Sequence, residues 1–293
     1  MKLSRVYYLL FLILSACATP TQEPQRPQEP ARLEEAVLVG AGDIASCHSD
    51  DDEQTALLLD RIPGVVFAVG DTAYRAGSPA EFTSCYEPSW GRHKARTRPA
   101  VGNHEYLTRD AAGYFAYFGD QAGPPGRGYY SYDLAQWHIV VINSMLEHID
   151  PLAQERWLAS DLAAHPARCT LAYWHHPRFS SGHHGNHPQM RRIWKILYTH
   201  GADVVISGHD HLYERFASQT ADGIADPKRG IRQFIAGTGG FRLYEFHDPK
   251  PNSEARNNTA FGVLKMTLKP GTYAWEFIAV PGVVLDSGED SCH

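Results

Sequence analysis

Short apolar runs rich in Val, Ile and Ala recur along the chain and alternate with longer segments that have a helical pattern. Runs of this length and composition predict buried strands. The predicted strands cover residues 36–41, 65–69, 100–101, 138–142, 171–174, 204–206 and 233–236. Two further runs, 262–268 and 273–280, flank Pro270-Gly271 and predict a hairpin. Because strands and helices alternate, the pattern predicts one α/β domain over residues 36–293.

Two helices have recognisable ends. Asp150 is a good N-cap and Pro151 suits the first helical position, which predicts a helix over residues 151–164. Pro188 opens a second predicted helix that runs to His200, and Gly201 is a suitable residue to end it.

Polar donors follow five of the predicted strands. They occur in the segments Gly42-Asp43, Gly70-Asp71, Gly102-Asn103-His104, His175-His176 and Gly208-His209-Asp210-His211. Open α/β sheets build their sites where the carboxyl ends of strands converge, and Gly lets the backbone turn sharply there. A single Gly-Asp pair is an ordinary turn, but five strand ends with oxygen or imidazole donors indicate a metal site.

These segments resemble those of a known family. The motifs GDTAY, GNHE, WHH and GHDH, which end at Tyr74, Glu105, His176 and His211, match the calcineurin-like metallophosphoesterases in order and over most of the domain. Within that superfamily the chain is most similar to purple acid phosphatases, which have a GHxHxYER segment like GHDHLYER here. The resemblance implies an α/β fold with a β-sandwich core flanked by helices, in four α/β/β/α layers.

The resemblance also implies a ligand set. Metal one would be held by Asp43, Asp71, Tyr74 and His211, and metal two by Asp71, Asn103, His175 and His209, with Asp71 as the bridge. Two carboxylates and a phenolate suit Fe(III), whereas one amide and two imidazoles suit Zn, Fe(II) or Mn. Ala45 stands where common family members have a His ligand, and the DxG motif of purple acid phosphatases reads Asp43-Ile44-Ala45 here. Alternatively, Tyr74 is an ordinary loop aromatic and the site is colourless.

Three histidines are predicted to act on the substrate. His104 would donate to a phosphate oxygen or the leaving group, with Glu105 orienting it. The spacing from His175 to His183 and His184 resembles that of the substrate-side histidine pair in purple acid phosphatases, which implies that these two bind phosphate and protonate the leaving group. The alternative for the last two is a solvated loop. His176 ranks below His175 as a ligand, since neighbouring residues on a strand point to opposite faces. Eight other histidines are predicted to be surface or core residues: His48, His93, His138, His148, His165, His200, His247 and His293.

The predicted function is hydrolysis of phosphate monoesters at two metal ions, which activate water and neutralise the phosphoryl oxygens. A phosphodiesterase or nucleotidase on the same scaffold is the alternative, although many diesterases keep the His that Ala45 replaces. A non-enzymatic surface lipoprotein is a third hypothesis, and it is disfavoured because no expected ligand is missing. The net charge of −6 argues against a nucleic-acid partner.

The N-terminus has the pattern of an export signal. Lys2 and Arg5 precede a short apolar run, and Leu14-Ser15-Ala16-Cys17 resembles a bacterial lipobox. The prediction is a signal peptide over residues 1–16, lipidation of Cys17 and a Pro/Gln-rich tether over residues 17–35. The protein would then be exported and anchored to the cell envelope, at the outer membrane or the periplasmic face. An ordinary signal peptide cut nearby is the alternative.

Four further cysteines in an exported chain indicate two disulfides, for which three pairings exist. The favoured pairing is Cys47–Cys85 and Cys169–Cys292, of which the second would tie the C-terminal tail to a core strand. A zinc site is disfavoured, since the chain has no CxxC pair.

Overall fold

Residues 35–293 are described by a computed structural model, so the predicted signal peptide, Cys17 and all but the last residue of the predicted tether lie outside the described residues. The strands are β1 (Ala36–Ala41), β2 (Ala45–Ser46), β3 (Val65–Val69), β4 (Ala73–Tyr74), β5 (Thr97–Ala100), β6 (Tyr130–Leu134), β7 (Trp137–Val141), β8 (Cys169–Tyr173), β9 (Val204–Ser207), β10 (Tyr213–Phe216), β11 (Arg232–Ala236), β12 (Ser253–Asn257), β13 (Gly262–Lys269), β14 (Thr272–Ala279) and β15 (Val283–Ser291). The helices are α1 (Asp51–Arg61), α2 (Pro79–Glu81), α3 (Ala112–Phe118), α4 (Pro151–Ala164) and α5 (Arg191–Thr199).

Two large sheets form the centre of the domain. The first has the order β15-β14-β13-β1-β3-β5, in which β1, β3 and β5 are parallel. The second has the order β12-β10-β11-β9-β8-β7-β6, in which β7, β8, β9 and β11 are parallel. Strands β2 and β4 form a small parallel sheet just beyond β1 and β3. The parallel strands of each sheet therefore end in loops at the same edge.

The central strands are buried on both faces. Leu38 packs into the core between the two sheets, whereas its neighbour Val39 packs towards α1 and α3. In the second sheet Leu171 faces the same inter-sheet core, and Ala172 faces the cluster under α4 and α5. Successive side chains of a strand thus pack into two different cores, one on each face of the sheet. Both faces are buried, which explains the uninterrupted apolar runs. The arrangement is the predicted four-layer α/β/β/α fold.

Local signals set several element ends. Asp150 Oδ1 accepts hydrogen bonds from the backbone N–H groups of Leu152 and Ala153, both at 3.0 Å, so α4 begins and ends where the sequence predicted. The second predicted helix begins with a 3-10 turn over Pro188–Met190 before α5. The predicted strand at 100–101 was wrong in its bounds, because β5 begins at Thr97 in a run that is not apolar.

The described residues contain the disulfides Cys47–Cys85 and Cys169–Cys292, which is the pairing that the sequence favoured. The predicted C-terminal hairpin has a third strand, β15, and the second disulfide joins the residue after that strand to the start of β8. Across residues 35–293, no helix combines the length and the apolar character that crossing a bilayer requires.

Candidate metal centre

Three donor residues occupy strained turns directly after strands. Asp43, Asp71 and His209 have φ values of 60°, 50° and 70°, in the left-handed region that non-glycine residues seldom adopt. The turns brace one another, because Asp43 N–H donates to the Gly70 carbonyl at 3.1 Å and His209 N–H donates to Asp43 Oδ2 at 2.9 Å. Strain of this kind persists only where surrounding contacts hold it, and it is concentrated at functional sites.

The first donor cluster consists of Asp43, Tyr74 and His211. The Tyr74 hydroxyl lies 3.0 Å from Asp43 Oδ1 and 3.2 Å from His211 Nε2. His211 Nε2 is 3.2 Å from the same Asp43 oxygen. The Tyr74 ring stacks on Phe241 with centroids 3.7 Å apart, and all three donors are buried. Three donor atoms therefore converge on one small volume.

The second donor cluster consists of Asn103, His175 and His209. His175 Nε2 lies 3.0 Å from Asn103 Oδ1 and 3.3 Å from His209 Nδ1. His175 is fully buried, and His209 is 9% exposed. This cluster offers one amide oxygen and two imidazole nitrogens, and none of the three side chains carries a negative charge.

Asp71 lies between the two clusters. Its Oδ2 is 3.1 Å from the Tyr74 hydroxyl and 3.2 Å from His175 Nε2. The other carboxylate oxygen, Oδ1, accepts the backbone N–H of His104 at 2.9 Å. One oxygen of Asp71 therefore contacts both donor sets, as a bridging ligand must.

Backbone carbonyls orient two of the imidazoles. His175 Nδ1 is 2.8 Å from the Val69 carbonyl, and His211 Nδ1 is 2.9 Å from the Arg242 carbonyl. A carbonyl only accepts, so each Nδ1 must carry the proton and donate. Each Nε2, which faces its cluster, is then left with a lone pair whenever the ring is neutral. Orientation of this kind is typical of metal-binding histidines.

Electrostatics also point to cations at these positions. Burial, together with the carboxylates of Asp43 and Asp71, raises the pKa of Tyr74 well above its ordinary value. Burial alone would lower the pKa of His175, but the neighbouring Asp71 carboxylate raises it to about 10. Without metal, the Tyr74 hydroxyl and the His175 imidazole therefore keep their protons, which lie next to the Asp43 and Asp71 carboxylates, where metal ions would otherwise lie. The seven side chains fit a binuclear centre, with the harder, more anionic donors on the Tyr74 side.

The structure corrects the predicted role of Glu105. Its buried carboxylate does not orient His104; it accepts the backbone N–H groups of Asp71 at 2.9 Å, Thr72 at 2.7 Å and Gly102 at 2.7 Å. Glu105 thus ties the loop after β3 to the loop after β5. His104 instead turns its Nδ1 towards the Arg75 carbonyl, and its Nε2 is 3.8 Å from Asp71 Oδ2.

The two predicted substrate histidines lie side by side, with ring centroids 5.2 Å apart, and both side chains are exposed. The His184 ring lies 4.1 Å from that of His209, beside the second cluster, whereas His183 lies further out, 5.3 Å from the His247 ring. The loop that carries them is not free in solvent, because the buried Asp210 accepts the backbone N–H of His184 at 2.8 Å.

His176 lies beside the second cluster and forms a further group of nitrogen donors with His187 and His209. Its Nδ1 is 3.0 Å from the Ser144 hydroxyl, and its ring contacts those of His187 and His209 with centroids 4.6 and 4.3 Å apart. The sequence analysis missed His187, which follows no strand and belongs to no motif.

The sequence analysis also missed the segment 239–247, which borders the first cluster. Its Tyr244 ring stacks on His211 with centroids 4.0 Å apart, and Tyr244 N–H donates to the His211 carbonyl at 2.9 Å. Phe241 covers Tyr74 in the same way. The only sequence signal there is the aromatic content of Phe241-Arg242-Leu243-Tyr244.

Comparison with known proteins agrees with this geometry. Residues 37–213 match the sequence model of the calcineurin-like phosphoesterases. Purple acid phosphatase 18 of Arabidopsis thaliana is 27% identical over 164 residues, which are 53% of this chain and 37% of that protein. Purple acid phosphatase 22 of the same plant is 32% identical over 155 residues, 50% of this chain and 35% of that protein. The chain thus spans little more than a third of the length of these relatives.

Two solved structures share the fold over most of the described domain. The purple acid phosphatase PPD1 from yellow lupin (Lupinus luteus) aligns with a TM-score of 0.71 at 18% identity, over 90% of this chain and 55% of that one. GAP50, the anchor in the inner membrane complex of Plasmodium, aligns with a TM-score of 0.71 at 13% identity, over 88% of this chain and 89% of that one. At such identities the likeness concerns the fold alone. The family match over residues 37–213 covers more than half of the sequence, and the chain belongs to the calcineurin-like phosphoesterase family, within which it is similar to purple acid phosphatases.

Proposed function

We propose that this protein hydrolyses phosphate monoesters at a binuclear metal centre. Asp43, Asp71, Tyr74 and His211 would hold one ion, and Asp71, Asn103, His175 and His209 the other. The observation that carries the proposal is the position of Asp71 Oδ2, 3.1 Å from the Tyr74 hydroxyl and 3.2 Å from His175 Nε2.

Such a pair of ions supplies Lewis acidity and positive charge for in-line displacement at phosphorus. The protein itself fixes the bridging carboxylate through the His104 N–H, and it fixes the surrounding loops through Glu105. His104 and His184 border the centre, where their N–H groups would bind the phosphoryl oxygens.

His184 supports an acidic working range. Partial desolvation of this otherwise exposed side chain lowers its pKa, and acidic solution favours the imidazolium that would protonate a leaving group. We assign His183, at the outer rim, to binding of the leaving group.

Fe(III) is proposed for the Tyr74 side, and Zn, Fe(II) or Mn for the other. Two carboxylates and a phenolate place three negative charges around the first ion, whereas the second ion has only the shared carboxylate.

The direct test is metal analysis of the purified chain together with turnover of p-nitrophenyl phosphate and bis(p-nitrophenyl) phosphate. We expect two metal ions per chain and a higher kcat/KM for the monoester. Two bound ions with higher kcat/KM for the diester would favour the alternative, a phosphodiesterase. That alternative is supported by the open cavity of about 470 Å³ beside His183 and His184, which has room for a second ester group. Two bound ions without turnover of either ester would contradict hydrolysis.

We also propose that the mature protein is exported and anchored to the bacterial envelope through a lipid on Cys17. The support is the sequence Leu14-Ser15-Ala16-Cys17 after a short apolar run. A fatty-acid analogue should label the wild type and not Cys17→Ser, and equal labelling of the two proteins would contradict lipidation.

A further inference from the structure

A cavity of about 470 Å³ opens beside the candidate metal centre. Its lining residues are His183, His184, Arg242, Leu243, Tyr244, Glu245 and His247. It adjoins both donor clusters, because the Tyr244 ring stacks on His211 and the His184 ring lies 4.1 Å from that of His209. A leaving group attached to a phosphoryl group at the metals would therefore extend into this cavity.

Arg242 is the one Lys or Arg side chain among the described residues that line the cavity. Its guanidinium lies over the Tyr244 ring at 5.1 Å and over Phe241 at 5.8 Å. Its Nη2 donates to the Tyr244 hydroxyl at 3.4 Å. Within residues 35–293 no carboxylate lies at ion-pair distance from it, whereas Arg215 of β10 is paired with Asp286 at 2.8 Å. The Tyr244 ring thus contacts both the exposed Arg242 guanidinium and the His211 imidazole.

The segment that carries Arg242 is held in place. The Arg242 carbonyl accepts from His211 Nδ1 at 2.9 Å, and Tyr244 N–H donates to the His211 carbonyl at 2.9 Å. Further along, His247 N–H donates to the Ser181 carbonyl at 2.9 Å, which joins this segment to the loop of His183 and His184. A guanidinium on a braced segment loses less conformational entropy when it binds an anion.

Glu245 is the acidic residue of the lining, and its carboxylate accepts a hydrogen bond from Asn258 Nδ2 at 3.1 Å. The other polar side chains of the lining are three histidines and Tyr244.

We propose that Arg242 forms a second anion subsite, which selects phosphate monoesters whose leaving group carries a further phosphate or carboxylate. Guanidinium binds either group through two parallel N–H donors, and both groups are anionic at moderate pH. This inference rests on the proposed phosphatase function and adds a substrate class to it.

The test compares three esters of equal chain length: butyl phosphate, butanediol bisphosphate and the phosphate ester of hydroxybutyrate. For each enzyme, kcat/KM with either of the two esters that carry a second anionic group is divided by kcat/KM with butyl phosphate. In Arg242→Gln we expect this ratio to fall roughly tenfold, as loss of one charge-assisted contact at an exposed site implies. Arg242→Lys should give an intermediate ratio, because the ammonium keeps the charge and loses the two-pronged contact.

Arg192→Gln is the matched control. Arg192 is an exposed residue of α5 that pairs with Glu155, and its loss changes the net charge equally without touching the cavity. The control should keep the wild-type ratio. A fall with the bisphosphate alone would identify phosphate as the second anion, and a fall with the carboxylate alone would identify carboxylate. An unchanged ratio in Arg242→Gln, or an equal fall in the control, would overturn the proposal.

If the wild type hydrolysed none of the three esters, the proposed function would fail and the subsite would be tested by binding. Calorimetry of the metal-loaded protein would then compare butane bisphosphonate with butylphosphonate. A preference for the bisphosphonate that is lost in Arg242→Gln would support the subsite, and one that is retained would overturn it.

Discussion

The two donor clusters on either side of Asp71 differ in charge and in surroundings. Asp43, Tyr74 and His211 combine a carboxylate and a phenol with one imidazole, and Phe241 and Tyr244 cover them. Asn103, His175 and His209 have no acidic member, and further imidazoles rather than aromatic hydrocarbon rings surround them. The first half of the site therefore supplies acidic donors under an aromatic cover, and the second supplies only amide and imidazole donors and lies closer to solvent.

This asymmetry would allow one shared carboxylate to bind two unlike ions, as proposed above. Because Asp71 contacts both sides, the contrast in charge comes from the residues that the two sides do not share. Anionic oxygen donors under a hydrophobic cover stabilise a trivalent ion, whereas imidazoles and an amide select a borderline divalent ion. The predictions below test this division of roles.

The largest effect is expected from Asp71→Asn, which weakens both halves together. Loss of the shared charge should release most of both ions and lower kcat by about 10³ or more, since the metals contribute several kcal/mol to transition-state stabilisation. Metal analysis and turnover of an aryl phosphate measure the two effects. Two retained ions with normal turnover would show that Asp71 is not the bridge.

Replacing one histidine in each cluster should remove one metal ion and leave the other in place. His209→Gln should lose about a hundredfold in affinity for the divalent ion and keep the iron, and His211→Gln should do the reverse. Each variant is the control for the other, because both keep Asp71 and both change one buried imidazole. If both variants lost the same ion, the assignment of His209 and His211 to different metals would be wrong.

Tyr74→Phe changes only the first cluster, which is proposed to bind Fe(III). The phenolate should give the oxidised, iron-loaded wild type a visible charge-transfer band and a low reduction potential. The variant should lose the band and roughly tenfold in iron affinity. Tyr130→Phe, a change outside both clusters, should keep both properties. A colourless wild type with full iron occupancy would place Tyr74 outside the coordination sphere.

The smallest effect is expected on the stability of the metal-free protein, through the protonation of His175 in the second cluster. Because the Asp71 carboxylate raises the pKa of His175 to about 10, protonated His175 stabilises the metal-free fold fully below pH ~6.5. That contribution is lost as the pH rises through about 10. The difference in Tm between metal-free wild type and metal-free His175→Gln should therefore shrink from pH ~6.5 to about 10.

Metal binding should follow the opposite trend over the same range. The divalent ion displaces the His175 proton, so its affinity should rise by up to about tenfold per pH unit, measured by competition with a chelator. An affinity that stays constant with pH would show that no proton leaves His175 on binding.

Much of the site was predictable because its donors follow strands directly. The bounds of β1 and β3 agree with the apolar runs, and Asp43 and Asp71 are the second residues after them. Strand formation depends on the burial of neighbouring residues, and the turn that follows depends on Gly42 and Gly70. Both features depend on residues that are adjacent in the chain, so they can be predicted from the sequence.

The sequence by itself determined the four-layer fold class, the caps of α4 and the seven side chains proposed to bind metal. Only the tertiary structure decided that Glu105 ties two loops together, that His187 approaches His209, and that Arg242 and Tyr244 border the first cluster. Tyr244 reaches His211 across 32 intervening residues, through a backbone hydrogen bond and a ring stack. No local periodicity encodes such contacts, because they exist only once both sheets have packed and brought distant loops to one edge.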